Sequence, residues 1–269
     1  RSPSERSTPM PRTADGSAGD ADYGAIARDY TDHRVPDPRI ARAVHAALGD
    51  ARTVLNIGAG AGSYEPADRD VTPVEPSASM RTRRPAHLAE AVDAAAEDLP
   101  FGDGAFDAAM ATFSVHQWQD VQRGLGEVRR VTRGPVVLLT CDPSLVRGFW
   151  LDEYAPEVLS AEASRYPSPN VLAAGLGGRV ETVRVPVPLD CSDGFNEAYY
   201  GRPEGLLDPS ARASCSAWSF VGDDVVERFA ADLSRDLADG TWDERHGHLR
   251  TTPELHGSLI LAVSVHVHP

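Results

Sequence analysis

The sequence predicts an α/β fold: a Rossmann-like, open, mostly parallel sheet of about seven strands, with a mainly helical cap inserted before the last strand. Three observations point there. Between residues 51 and 143, short apolar runs alternate with helix-like segments. Those runs are apolar throughout rather than at every second position, as strands covered on both faces must be. Finally, about 65 residues separate the last two strand-like runs, far beyond an ordinary connection, and an insertion of that size builds a cap or lid over a site.

The elements follow in order. Residues 1–20, RSPSERSTPMPRTADGSAGD, are polar, lack the apolar stretch of a secretory signal, and are expected to be a disordered tail. The core is expected over 21–143. Ile40, Val44, Ala47 and Leu48 recur at helical spacing, and Gly49 stops that helix. ARTVLNIG is the first strand and leads into a glycine loop. VTPVEP, residues 71–76, is the second, with Pro73 implying an exposed or irregular start. Ser77 is a natural N-cap for SASMRTRR. A short third strand is expected near Ala91 and Val92. FDAAMATFSV is the fourth, and QDVQRGLGEVRRVT a helix with Val121, Leu125 and Val128 on one face. GPVVLLTCDP is the fifth, with Pro135 tolerable at its start. Beyond it come a helical substrate-side segment (144–178), a core strand in RVETVRVPVPL (179–190), the cap (191–256) and a last strand in GSLILAVSVHV (257–269). DDVVERFAADLSRDLADG is the clearest cap helix.

Composition narrows the function. The chain has 269 residues, 41% of them apolar, enough for a substantial core. Its 40 acidic and 26 basic residues leave a formal charge of -14, a surface that repels nucleic acid. The small arginine clusters at 81–84 and 129–133 read as solvated helix faces. Cys141, Cys191 and Cys215 have no metal-ligand spacing, and their odd number argues against a disulfide framework. His246 and His248, two apart, make no helical metal motif, so no metal is expected. No run is long and apolar enough for a membrane span, and a cytoplasmic location is expected. A monomer and a homodimer are both compatible with the sequence.

The glycine loop decides the ligand class. Gly58, Gly60 and Gly62 follow the first strand at the edge where open α/β sheets bind ligands. Glu75 ends the second strand, placed to accept hydrogen bonds from both hydroxyls of a ribose. A dinucleotide fingerprint would want glycine at position 63, where Ser63 stands. Only a single helical turn fits before the next strand, and Pro66 limits it further, so a pyrophosphate would lack its helix N-terminus. A nucleoside cofactor without phosphates fits better.

With these residues in place, the chain resembles the class I S-adenosylmethionine-dependent methyltransferases, in particular the small-molecule group related to the ubiquinone/menaquinone C-methyltransferases. The resemblance covers about residues 23–142. VLNIGAGAG looks like the family's first motif and VEPSASM like its acidic second. AEDLPFGDGAFDAAMATFSVHQW is similar to the third and fourth, and EVRRVTRGPVVLLT to the helix and strand that follow. The resemblance implies S-adenosylmethionine as cofactor, with Gly58, Ala59 and Gly60 facing its methionine part. Glu75 would hold the ribose, and Pro76, Ser77 and Met80 would border the adenine. Ala96 and Glu97 would flank the adenine edge, with Leu99 beneath. Phe113, Ser114 and His116 would line the cofactor where the fourth strand ends, and Tyr23 and Tyr30 would help close the pocket. Two positions depart from the family. A carboxylate is usual where Asn56 stands, and it orients the loop or the cofactor's amino group. An Asp is frequent at Ala95, where Asp98 or backbone groups would have to substitute.

The acceptor is expected to be a small, apolar or aromatic molecule, with natural-product biosynthesis the leading setting by family analogy. His116 is the general-base candidate, because it follows a strand at the ligand edge and its pKa range suits proton transfer. Trp118, Phe149, Trp150, Tyr154, Tyr199, Tyr200 and His246 are the candidate substrate wall. An NAD(P)-dependent oxidoreductase and a non-catalytic ligand-binding protein on the same fold are the alternatives.

Overall fold

The structure, a computed structural model, describes residues 33–265 together with Arg12 and Asp15. Tyr23 and Tyr30 lie outside the described residues. Asp37 caps α1 (Pro38–Ala47), accepting from the Arg39 amide, and the helix buries Ile40 and Val44 before Gly49 turns out at φ +58°. The strands β1 (Thr53–Ile57), β2 (Asp70–Val74), β3 (Ala108–Thr112) and β4 (Val136–Cys141) run parallel. β5 (Arg179–Arg184) and β8 (Leu259–Val265) complete a six-stranded sheet in the order β2-β1-β3-β4-β8-β5. β8 is antiparallel to both of its neighbours.

The burial patterns explain the order. β4 is buried at every position and β3 at all but Thr112, so both sit inside the sheet. β5, expected to be a core strand, is exposed at most positions and forms the outer edge. Arg179, Glu181 and Arg184 place charge there, which discourages pairing with another chain. Alternate side chains of the inner strands feed two cores. Val54, Met110 and Leu139 face one side, with α1 and the cap, while Leu55, Ala109 and Leu138 face the other. That second face is covered by α3 (Val121–Val131) and α6 (Pro169–Leu176), which meet where a Cβ on Gly175 would lie 2.5 Å from Leu125 Cδ1.

Three expectations need correction. The third strand near Val92 is a single bridge to Val74, because the segment offers too few apolar residues to extend a ladder beside Pro73. No helix forms between β1 and β2, where only turns connect Ile57 to Asp70. The expected tail does not lie wholly outside the fold. The Asp15 carboxylate accepts from the Ser79 amide at 2.9 Å at the start of α2 (Ala78–Thr82), and Arg12 pairs with Asp93 at 2.6 Å.

After β4 come α4 (Leu151–Tyr154) and α5 (Pro156–Arg165), then α6. β6 (Val187–Pro188) pairs with β7 (Glu254–Leu255) apart from the main sheet. Between them lie α7 (Pro209–Ala213), α8 (Asp223–Ala238), α9 (Thr241–His246) and several short 3-10 turns. The cap and the helical segment that follows β4 share one aromatic core. Trp150 packs edge-on against Tyr154 and Trp242 and donates its indole N–H to the Tyr200 carbonyl at 2.9 Å. Tyr154 donates to Asp236 at 2.9 Å and Tyr200 to the Thr252 carbonyl at 2.7 Å. No described helix is long and apolar enough to cross a membrane.

Trp150→Ala is expected to cost about 3–5 kcal/mol of stability, because it empties the centre of this aromatic cluster. Urea unfolding followed by intrinsic fluorescence measures the loss.

Candidate functional site

The sheet reverses its strand order between β1 and β3, and ligands bind at that switch point in open α/β sheets. Both strands break sharply there. Gly58 leaves β1 at φ +66°, and Phe113 leaves β3 at φ +51°, a costly conformation for a bulky residue. The two ends are stitched together. Ser114 Oγ donates to the Ile57 carbonyl at 2.9 Å, and a Cβ on Gly58 would lie 2.5 Å from Ser114 Cβ. Only glycine fits that approach.

The break opens a cleft. One wall is the loop from Gly58 to Ala61, and the far wall is Ala94 to Glu97 with Trp118. Glu75, Pro76, Ser77 and Met80 form its side, and Phe113, Ser114 and Gln117 its inner end. Glu75 organises the cleft. One carboxylate oxygen accepts from the Gly60 amide at 2.8 Å and the other from the Ser77 amide at 2.8 Å. Burial pushes its carboxyl above the ordinary value, while those amides and Arg81 pull it back. Glu97 also lines the cleft, but one of its oxygens accepts from the Asp120 amide at 3.1 Å.

Asn56 lies behind the loop. Its Nδ2 donates to Glu65 Oε1 at 3.0 Å, and Glu65 forms a two-pronged pair with Arg84, both contacts at 3.0 Å. Each side chain of that pair is 4% exposed. The missing carboxylate at Asn56 is therefore answered by Glu65, nine residues on, and Arg84 balances its charge. Asn56 Oδ1 is buried without a hydrogen-bond partner among the described residues.

Beyond Phe113 and Gln117, which line both spaces, lies a second, smaller cavity. His116, Phe195 and Asn196 line it, with Arg34 from the N-terminal side and Glu162, Arg165 and Tyr166 from α5 and its end. Trp218 donates to Asn196 Oδ1 at 2.9 Å, and this fixes Asn196 Nδ2 as donor to Glu162 Oε2 at 2.7 Å. Arg34 pairs with the buried Asp193 at 2.5 Å and lies 4.9 Å over the Phe113 ring. Asp193 also accepts from Tyr64 Oη at 2.7 Å, so the glycine loop is tied to the cap.

His116 sits at this junction, with its ring 4.6 Å from that of Tyr166. Burial, then the charges of Arg165 and Arg34, hold its imidazole well below the ordinary histidine range, so the ring is neutral. Its Nδ1 is buried and has no partner among the described residues. Burial pushes the Glu162 carboxyl up, against Asn196 and the same two arginines, and pushes the Cys215 thiol up to about 12.

The structure thus brings Gly58, Ala59, Gly60, Glu75, Pro76, Ser77, Met80, Ala96, Glu97, Phe113 and Ser114 to one cleft, with Trp118. Leu99 is buried outside its lining, and Asp98 is exposed and points elsewhere, because it sits on the solvent side of the turn that follows Ala95. Most of the expected substrate wall is not at the junction. Trp150 and Tyr154 are core, and Tyr199 is wedged between Gly194 and Gly205. Phe149, Trp150, Tyr200 and His246 border a separate surface groove, where His246 faces Glu153 at 3.1 Å. The residues that do line the second cavity went unread because they come from three distant stretches, and charged residues on a helix read as its solvated face. One signal existed: Glu162, Arg165 and Tyr166 share a helical face at spacings of three and four. Among the described residues no cluster of three His, Cys, Asp or Glu could hold a metal ion.

Comparisons with known proteins follow the same geometry. A family model described as a methyltransferase domain matches residues 55–139. An Anabaena variabilis protein, described as a candidate methyltransferase from an antibiotic biosynthesis pathway, is 30% identical in sequence. Its crystal structure superimposes with a TM-score of 0.81, covering 87% of this chain and 100% of that one. The uncharacterized Escherichia coli protein YafE is 40% identical over 60 residues, which span 21% of this chain and 29% of YafE. A Haemonchus contortus phosphoethanolamine N-methyltransferase, solved with phosphomonomethylethanolamine and S-adenosylhomocysteine, shares the fold at 11% identity and a TM-score of 0.53. That match covers 91% of this chain and 57% of the other.

Arg84→Met leaves Glu65 buried without its ion partner and is expected to cost about 3–5 kcal/mol. Adding Glu65→Gln should recover much of the loss, since the charge that needs a partner is then gone. Chemical denaturation of the single and double variants gives both values.

Proposed function

Because the chain belongs to the class I S-adenosylmethionine-dependent methyltransferases, we propose that it transfers a methyl group from S-adenosylmethionine to a small molecule held in the second cavity. The observation that carries this reading is Glu75, buried at the side of the cleft and held by the Gly60 and Ser77 amides. Its remaining lone pairs suit the two hydroxyls of a ribose. The residues present fit the cofactor. Gly58 and Gly60 leave the loop bare where a Cβ would meet Ser114 or Met80. When bound, S-adenosylmethionine supplies an electrophilic methyl group.

The chain's own residues would do the rest. The backbone from Gly58 to Gly60 would cradle the amino-acid arm. Pro76, Ser77, Met80 and Ala96 would frame the adenine, with Trp118 closing that end. Phe113 and Gln117 would stand between cofactor and acceptor and exclude water from the junction. His116, neutral and beside them, would accept a proton released by the acceptor. The turns between β1 and β2 offer no helix N-terminus for a pyrophosphate, which counts against an NAD(P)-dependent oxidoreductase. The antibiotic-pathway description of the Anabaena protein supports natural-product tailoring as the setting.

Calorimetric titration with S-adenosylhomocysteine is expected to show one site, with no heat from NAD. Glu75→Ala should weaken that binding by about ten- to a hundred-fold, the worth of hydrogen bonds to a charged group. Strong NAD binding with no S-adenosylhomocysteine binding would reverse the assignment.

Turnover, read as release of S-adenosylhomocysteine, should be flat above about pH 6.5, because His116 is already neutral there. It should fall only in more acid solution. His116→Gln should lower it by about a hundred-fold or more. The folded pKa of His116 lies below the unfolded one, so the unfolded chain binds more protons between them. Its contribution to stability is therefore lost as pH falls through that interval, and the melting temperature of His116→Gln should lose this dependence.

A further inference from the structure

We infer that Asp15, outside the stretch that carries the methyltransferase motifs, is a positioning residue of the cofactor cleft. It holds Ser77 and the first turn of α2, and through them it sets Glu75 and Met80 against the ligand. This rests on the methyltransferase reading and adds to it a residue the family match does not reach, since that match begins at residue 55.

The amides at the start of α2 show the dependence. The helix has five residues, too few to keep its shape by propensity alone. The first amides of any helix lack partners within it. Here each of them is accounted for. The Ser77 amide donates to Glu75 at 2.8 Å, and the Met80 amide to Ser77 Oγ at 3.2 Å. The two between them both go to Asp15. The Ala78 amide donates to its carbonyl at 2.8 Å and the Ser79 amide to its carboxylate at 2.9 Å. The same carboxylate accepts from the Ser77 hydroxyl, and from the Ser79 hydroxyl at 3.0 Å. Ser77 Oγ thus donates to Asp15 and accepts from Met80, so its rotamer and the helix start are fixed together.

What is fixed lines the cleft. Ser77 and Met80 are both buried there, and a Cβ on Gly60 would lie 3.1 Å from Met80 Cε. The neighbouring Arg12 pairs with Asp93 at 2.6 Å, directly before Ala94 in the far wall. Asp93 also faces Arg81 at 3.3 Å, and Arg81 donates to the Glu75 and Pro76 carbonyls, both at 2.8 Å. Arg12 and Asp15 therefore engage two walls of one cleft.

Charge gives Asp15 a second signature. The groups around Glu75 are few. Arg81 on α2 pulls its carboxyl down, while burial and the Asp15 carboxylate push it up. The glycine loop brings the Gly60 amide, and Glu97 stands on the opposite wall. A residue that only propped up α2 would not change where Glu75 takes up its proton.

The test is calorimetric titration of S-adenosylhomocysteine into the full chain and into Asp15→Ala and Asp15→Asn, repeated from neutral to mildly acid pH at low salt. Asp15→Ala is expected to weaken binding at neutral pH by about ten-fold or more. Asp15→Asn keeps an acceptor for the Ser79 amide and should lose less. Parent affinity should fall as Glu75 is protonated. In Asp15→Asn that fall should begin about half a pH unit lower, because a like charge beside Glu75 is gone. A nearly unchanged melting temperature without ligand shows the fold intact, and Asp15→Asn, which preserves shape, still answers if Asp15→Ala unfolds. Parent affinity in Asp15→Ala, or an acid fall in Asp15→Asn that stays in place or moves upward, would overturn the inference. If the parent chain binds no S-adenosylhomocysteine at any pH, the methyltransferase reading falls first and the inference falls with it.

Discussion

One carboxylate, taken out of water and given to two backbone amides, holds the site together. Glu75 accepts from Gly60 on the first loop and from Ser77 at the start of α2. Burying it costs free energy, visible in its raised pKa, and the two amide donors offset much of that cost. In return the glycine loop has a defined shape. The sharp exits of β1 and β3 depend on the same region, since Gly58 turns away under Ser114 and Ser114 bonds back to Ile57.

The loop that Glu75 holds has no helix behind it. Where the fold family usually runs a helix, this chain has turns, and an ion pair takes over the support. Glu65 reaches back to Asn56 and out to Arg84 from the end of α2. The acidic group expected at Asn56 has thus moved along the chain rather than disappeared. Neutral Asn at the strand end can donate to that carboxylate, which an Asp could not do.

The cap supplies the contrasting half. It is closely packed where a substrate wall was expected: Trp150, Tyr154 and Trp242 pack on one another, Trp150 and Tyr154 donate to the Tyr200 carbonyl and to Asp236 in the cap, and the Trp242 indole nitrogen is buried without a hydrogen-bond partner among the described residues. Aromatic residues in a long insertion are more useful to the insertion's own core than to a ligand, because about 65 residues need apolar area of their own to stay folded. What the cap and α5 give to the site is polar instead. Glu162, Arg165, Tyr166 and Asn196 meet there, and Tyr64 and Arg34 lock the arrangement through Asp193.

The succession of strands and crossovers, the glycine loop and the place of Glu75 at the end of the second strand were legible in the sequence. They lie within one continuous stretch, and their spacing is imposed by backbone geometry that local residues control. Gly58 needs a positive φ, Ser77 caps the helix it precedes, and the apolar runs of β1, β3 and β4 demand burial on both faces. The reduction of the third strand to one bridge, the exposed edge at β5 and the identity of the second cavity were decided only by the tertiary structure. Each depends on what packs beside a segment, not on the segment itself. Arg34, Glu162, Arg165 and Asn196 lie far apart along the chain, and a charged side chain carries no local mark saying whether water or another charge will face it.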